Sequence, residues 1–268
     1  MTSSKNIVTL LSDFGLLDQF VAVMKGVMLS LNSNLNFVDI SHTIPPQDIA
    51  TGAFILGQSY EYFPGGTTHL AVVDPGVGTS RKAIAVSAGG HIFVAPDNGL
   101  LTYVFKRHPD FEAIEIRADH YFRKPVSSTF HGRDIFAPIA AWISRDIPLH
   151  QLGTELKNPV MLKVPEVTHV SASLIQAAVL AVDHFGNLVT NLHSEDLPVF
   201  EPQNPRPCKI LAGKKEIISF KRTFGEGASG ELFVVPGSTG YLEIAVRNGS
   251  ASEELDLKAG SHVGVVIT

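Results

Sequence analysis

The apolar positions of this chain change their spacing again and again, and the changes predict alternating strands and helices. Residues 7–11 form a short apolar run rich in β-branched side chains that stops at Ser12-Asp13-Phe14-Gly15, the pattern of a buried strand running into a loop. Phe20, Val23, Met24, Val27, Met28 and Leu31 then recur at helical spacing across 18–31. A strand over 36–40, a helix over 48–60 and a strand over 68–73 follow, the last ending at Asp74-Pro75-Gly76. Residues 83–87 and 92–95 read as a strand pair turning at Gly89-Gly90, 111–116 as a strand, and 135–143 as a short helix. Strands and helices in alternation imply an α/β domain with a mainly parallel central sheet.

The texture changes after Pro165. Strand-like runs at 174–183, 209–211, 232–235, 241–246 and 263–267 are punctuated by Gly and Pro, with no convincing long helix among them. The expected organisation is therefore an α/β domain over 1–164 and an all-β, barrel-like domain over 170–268, joined across 156–168 where Pro159 and Pro165 stand. No internal repeat or low-complexity tract interrupts this pattern.

Composition narrows the class. Hydrophobic residues at 44% and charged residues at 18% describe a globular protein with a sizeable core, not a disordered one. A net charge of -5 without clustered Lys and Arg argues against a nucleic-acid groove; Lys106-Arg107 and Lys214-Lys215 read as solvated surface. The one cysteine, Cys208, excludes an intrachain disulfide and a structural cysteine–zinc site. Residues 1–6 lack the charged-then-apolar pattern of a signal peptide, and no apolar run is long enough to span a bilayer, so a cytoplasmic location is expected.

Polar residues gather where the predicted strands end, the place at which open α/β sheets bind ligands. Asp13 and Asp18 flank the first such end, though both equally suit caps of the following helix. Asp74 lies in Val73-Asp74-Pro75-Gly76-Val77-Gly78, with Arg81 seven residues on, and its glycines equally suit a tight turn. Thr129-Phe130-His131-Gly132-Arg133-Asp134 and Asp183-His184-Phe185-Gly186-Asn187 complete the set, with a structural histidine and a plain β-turn as their simpler readings. These features alone support an α/β protein with an acidic ligand site.

Together, the segments closely resemble one family, the S-adenosyl-L-methionine (SAM) hydroxide adenosyltransferases, or SAM hydrolases, relatives of the bacterial fluorinase and chlorinase. The matching segments are Thr9-Leu10-Leu11-Ser12-Asp13-Phe14-Gly15, Lys25-Gly26, Asp39-Ile40-Ser41-His42, Val73-Asp74-Pro75-Gly76-Val77-Gly78-Thr79-Ser80-Arg81 and Ala95-Pro96-Asp97-Asn98-Gly99. Thr129 to Asp134, Asp183 to Asn187 and Gly240-Tyr241-Leu242-Glu243-Ile244-Ala245 complete a series that runs in the family's order across nearly the whole chain. The resemblance implies an α/β domain followed by a β-barrel. It also implies a homotrimer whose sites join the N-terminal domain of one subunit to the C-terminal domain of its neighbour.

Carried over residue by residue, it implies Asp74, Arg81 and His131 as catalytic residues and Asp13 as the carboxylate holding the ribose hydroxyls. Asp18 and Asp183 match positions around the methionine ammonium, Phe130 an aromatic near the ribose, and Phe185 and Asn187 the adenine-binding turn. Ser238 matches a contact to the methionine carboxylate, and Val246 and Asn248 flank a backbone segment that reads the adenine edge. Thr239 departs from the arginine of the fluorinase, so the methionine carboxylate is expected to be held differently.

The implied reaction is hydrolysis of SAM to adenosine and L-methionine, with no cofactor and no metal. The sulfonium leaves as a neutral thioether and needs no acid, so the task of the site is to polarise a water and aim it at ribose C5′. Arg81 is expected to stabilise developing hydroxide and to keep Asp74 ionised, which would make Asp74 a poor base. A fixed carboxylate at Asp74 repels halide, which favours water over the halogenase alternative. Two further readings stay open on the residues alone. One is a metal-dependent phosphoesterase using Asp13, Asp18, Asp74, His131 and Asp134. The other is a non-catalytic SAM or adenosine sensor.

Overall fold

A computed structural model describes residues 6–201 and 206–268; most of the segment on which the signal-peptide expectation rests lies outside them. The chain forms two compact units, one ending at Leu162 and the other beginning at Lys163.

The first unit contains β1 (Ile7–Ser12), α1 (Phe20–Leu31), β2 (Asn36–Ser41), α2 (Ile49–Ser59), β3 (Thr68–Val72), β4 (Ala83–Ala88), β5 (His91–Pro96), α3 (Thr102–Arg107), β6 (Glu112–Ile116), α4 (Ala137–Ile143) and β7 (Gly153–Glu155). Its seven-stranded sheet runs β2-β1-β3-β5-β4-β6-β7. The block β2-β1-β3-β5 is parallel, and the sheet continues antiparallel through β4, β6 and β7. The hairpin between β4 and β5 turns at Gly89 and Gly90, both at positive φ as the sequence requires there.

The central strands read as continuous apolar runs because both faces are covered. Val8, Leu10, Leu70 and Val72 pack on one face against Met24 and Met28 of α1 and Ile139 and Ala140 of α4. Leu11, Ala71 and Val73 pack on the other against Leu56 of α2 and Val104 of α3. The six-residue helix α3 was not legible as a helix, since so short a segment shows barely two turns of periodicity.

The helix expected over 135–143 begins earlier: Gly132–Phe136 forms a π-helical turn that runs directly into α4. Pro138 has no N–H with which to meet the Asp134 carbonyl, and that carbonyl instead accepts from the Arg123 N–H at 2.9 Å. The Ala137 N–H reaches back to Gly132 O, the wider spacing of a π turn.

The second unit contains β8 (Thr168–Ser171), β9 (Leu174–Val182), β10 (Leu188–His193), β11 (Cys208–Ala212), β12 (Lys215–Ile217), β13 (Leu232–Pro236), β14 (Tyr241–Val246), the short α5 (Ala251–Leu255) and β15 (His262–Ile267). Its strands run β12-β11-β15-β9-β10-β14-β13, with β8 beside β9, and all their pairings are antiparallel. Beyond β12 the chain bonds to β13, with Lys221 N–H donating to Val234 O at 2.8 Å and Val234 N–H to Ser219 O at 2.9 Å. This brings the two ends of the sheet together and nearly closes a barrel around Ile175, Val179, Leu188, Ile210, Val234, Ile244 and Val265. Among the described residues no helix is long and apolar enough to cross a membrane.

Candidate active site

Asp74 follows the buried end of β3, where Val73 is sealed in the core and the next side chain reaches the C-terminal edge of the sheet. The chain then turns tightly, with Val77 N–H donating to Asp74 O at 3.2 Å and Thr79 N–H to Gly76 O at 3.1 Å. Gly78 sits at φ +76, and a Cβ there would clash with Ser128 O, so only glycine lets this turn lie against the segment leading to His131. The turn returns Arg81 to Asp74. Arg81 Nε donates to Asp74 Oδ1 at 3.0 Å, and Nη2 makes a short hydrogen bond to Oδ2, a bidentate pair. Both side chains are nearly withdrawn from water, at 7% and 5% exposure. The guanidinium also lies over the Phe136 ring, 5.2 Å from its centroid.

Arg81 Nη2 lies 3.1 Å from His131 Nδ1. A guanidinium only donates, so Nδ1 accepts, and this bond assigns the proton of the neutral ring to Nε2. Burial, and then the Arg81 cation, hold the His131 ring below the ordinary histidine value. Burial pushes the Asp74 carboxyl above its ordinary value, outweighing the opposite pull of Arg81 and His131. Proximity to arginine was legible in the chain; the depth of burial, which acts in the opposite direction, was not.

Asp74 and His131 face a cavity of ≈130 Å³, walled by Phe14, Phe20, Phe130 and Gly132. The three phenylalanines interlock with ring centroids 5.2–5.8 Å apart. A Cβ on Gly132 would approach Met24 Sδ at 3.0 Å and Phe130 Cε2 at 3.1 Å. Phe130 thus joins Asp74 and His131 at one cavity, as do Phe14 and Phe20, which the sequence alone did not single out. Beneath it, Asp134 is fully buried, with its carboxylate tied to Arg133 Nε at 2.7 Å and to Ser127 N–H at 2.9 Å. It fixes the loop rather than facing a ligand.

Asp13 stands on the turn after β1, and its Oδ2 accepts from the Gln47 N–H at 2.8 Å. Asp18 lies exposed in the loop before α1. The residue that caps α1 is Gln19, with no side-chain hydrogen bond, so neither aspartate serves as that cap. Among the described residues no cluster of three His, Cys, Asp or Glu side chains is arranged to hold a metal ion.

In the second unit, Phe185, Asn187, Val246 and Asn248 line a cleft of ≈450 Å³. Asp183 braces the turn that carries two of them: Oδ1 accepts from the N–H groups of Phe185 and Asn187 at 2.9 and 2.8 Å, and Oδ2 from the Asn187 amide at 2.8 Å. This explains why Asp and Asn stand four apart in that motif. Phe185 is left 74% exposed at the cleft, an aromatic surface of the kind that stacks on a planar ring. Phe224 and Arg247 also line it, and Arg247 Nη1 donates to Phe224 O at 3.1 Å. The sequence carried no signal for Phe224, which opens a single 3-10 turn, Phe224–Glu226, too short to show a periodicity. Ser238 is exposed at the turn between β13 and β14 and does not line this cleft.

Comparison with known proteins agrees with this layout. Residues 8–153 match the SAM hydroxide adenosyltransferase N-terminal domain and residues 177–264 its C-terminal domain. The chain is 38% identical to an (R)-S-adenosyl-L-methionine hydrolase of Salinispora tropica, over 95% of each chain. It is 37% identical to a protein of the same name from Thermus thermophilus, over 94% of this chain and 96% of that one. A crystal structure described as an uncharacterized conserved protein from Thermotoga maritima superposes with a TM-score of 0.89 at 36% identity, covering 97% of this chain and 99% of the other.

Proposed function

The chain belongs to the SAM hydroxide adenosyltransferase family, and we propose on that premise that it hydrolyses SAM to adenosine and L-methionine. The observation that carries the reading is the buried Asp74–Arg81–His131 set at one end of an aromatic-walled cavity. Water held there lies among a carboxylate that accepts its proton-bearing side, a cation that stabilises hydroxide, and an imidazole whose Nε2–H donates to oxygen. With Nδ1 committed to Arg81, the neutral His131 orients the water and Asp74 is the acceptor for its proton. Burial shifts the carboxyl upward, in the direction that favours this role, against the pull of Arg81 and His131. Attack at ribose C5′ expels the thioether of methionine, and both products leave neutral at the reacting atoms.

Asp13 holds the ribose hydroxyls and Phe130 packs near the sugar. Phe185 and Asn187 receive adenine, with Val246 and Asn248 at its edge. Asp18, Asp183 and Ser238 serve the methionine end. The two hydrolase relatives bear the (R) designation, and we extend to this chain a preference for the (R)-sulfonium. The enzyme acts as a metal-independent homotrimer with sites shared between neighbouring subunits. A reducing cytoplasm suits a chain whose one cysteine, Cys208, is buried and free.

The deciding experiment is incubation with separated SAM epimers in oxygen-18 water without added metal. Adenosine and methionine should appear in equal amounts, with the label in the adenosine 5′-hydroxyl. Unlabelled adenosine would exclude attack by water at C5′, and no turnover would return the sensor reading.

A further inference from the structure

Two of the motifs that carry the family resemblance, Lys25-Gly26 and Asp39-Ile40-Ser41-His42, have no part in the site described above. The structure joins them to it. We propose that His42 is a positioning residue for Asp13, acting through Ser12; the proposal rests on the assignment of Asp13 to the ribose hydroxyls.

His42 is 3% exposed and Ser12 fully buried. His42 Nδ1 lies 2.7 Å from Ser12 Oγ. Its Nε2 faces Asp39 Oδ1 at 3.1 Å, without the alignment of a full hydrogen bond. Facing a carboxylate, Nε2 carries the proton, and Nδ1 is left to accept from the Ser12 hydroxyl. Ser12 Oγ in turn accepts weakly from the Phe14 N–H at 3.4 Å. On the outer side, Lys25 Nζ donates to Asp39 Oδ2 at 2.7 Å and holds that carboxylate in place. A directed chain therefore runs from α1 through β2 and His42 to the turn that presents Asp13. Serine, histidine and aspartate also form hydrolytic triads, but those leave the serine open to substrate. A sealed Ser12 has no access to one, and the same three groups here orient a backbone.

That turn needs holding. Gly15 lies at φ +68, and directly after it Leu16 and Leu17 are 70% and 102% exposed, so the far side of the turn has no core to rest on. What fixes it is the segment from His42 to Gln47. Gly15 N–H donates to His42 O at 2.7 Å, His42 takes the Ser12 hydroxyl, and Gln47 N–H donates to Asp13 Oδ2. Gln47 itself sits at φ +67, an uncommon conformation for a side-chain-bearing residue and one that recurs at functional sites. With Oδ2 engaged, Oδ1 is the oxygen presented to a diol.

The test is a mutant cycle on the full chain, with adenosine as the probe in calorimetry and SAM in steady-state kinetics. His42→Leu and Ser12→Ala should each weaken adenosine binding about tenfold, the scale of one lost hydrogen bond to a buried group. The KM for SAM should rise with them, and kcat should change less. His42→Asn places its amide oxygen near the position of Nδ1 and should restore affinity to within about threefold of wild type. In an Asp13→Ala background, His42→Leu and Ser12→Ala should cause no further loss, because their effect runs through that carboxylate. Equal losses with and without Asp13 would mean a general structural role and overturn the proposal, as would unchanged affinity in both single variants. Should His42→Leu fail to fold, Ser12→Ala completes the same cycle. If Asp13→Ala alone binds adenosine normally, the ribose assignment fails, and the proposal with it. Loss in Asp13→Ala with none in the others leaves that assignment intact and removes only His42.

Discussion

Asp74 and Arg81 form an ion pair almost out of water, and such a pair is costly to split. Replacing Asp74 with Asn keeps the shape but removes the charge that, in the proposed mechanism, receives the water proton. The expected result is a fall in kcat of about a hundredfold or more, with a smaller change in KM, since the interaction strengthens only in the transition state. Steady-state kinetics on SAM would show it, and a variant with near-normal kcat would remove Asp74 from the chemistry. In the proposed mechanism His131 and Asp74 must both be unprotonated, and both contribute to the acid limb of the pH profile. The proposed mechanism uses His131 as the neutral ring, because protonating Nδ1 would lose the bond from Arg81 and set two cations together. Its folded value is depressed below the ordinary 6.5. Activity should therefore hold as pH falls to about 6.5 and decline only below it. A kcat/KM profile with its acid limb centred above pH 7 would contradict this assignment.

At the level of elements, β3 serves two ends of the molecule. Its C-terminal end delivers Asp74, and its N-terminal end buries His69 completely. His69 Nδ1 is 2.7 Å from Thr9 Oγ1 of β1, and Nε2 is 3.2 Å from His91 Nδ1 of β5, so the ring bridges three neighbouring strands. Burial, and secondarily His91, depress its value from 6.5 to about 3. Below pH 6.5 the unfolded chain binds a proton that the folded chain refuses, so stability falls as pH falls from 6.5 toward 3. One such group costs about 2 kcal/mol by pH 5. Urea unfolding at pH 7 and pH 5 should reveal this loss, and His69→Asn should flatten much of it. An unchanged slope in that variant would assign the acid sensitivity elsewhere. The π turn before α4 shows the same economy: one proline and one buried carboxylate decide how the loop bearing Phe130 and His131 is presented.

For the molecule as a whole, the proposed trimer and metal independence are open to direct measurement. Light scattering should give about three times the 28.9 kDa chain mass. Turnover should be unaffected by EDTA. A monomeric yet fully active protein would remove the shared-site arrangement, and metal-restored activity after chelation would revive a metal-dependent reading. The two units must each fold around a core of their own, and each does: a sheet covered on both faces by helices, and a nearly closed barrel.

Much of this was legible in the chain because periodicity reports burial. The parallel strands β1, β2 and β3 and the barrel strands β9, β13, β14 and β15 fall where apolar runs and alternation predict them, since side chains repeating at a strand or helix period must share a face. The residues of the candidate site were named through the family resemblance: Asp13 and Asp74 follow β1 and β3, where a sheet has no hydrophobic use for them, whereas Arg81 and His131 came from the matching motifs and do not lie at strand ends. What the sequence could not decide was anything set by neighbours distant in the chain. The antiparallel half of the sheet, the direction in which Asp74 titrates, the proton on His131 Nε2, the aromatic wall of Phe14 and Phe20, and the link from His42 to Asp13 all depend on partners that only folding brings together. Burial and hydrogen-bond geometry are properties of that assembly, and local spacing does not contain them.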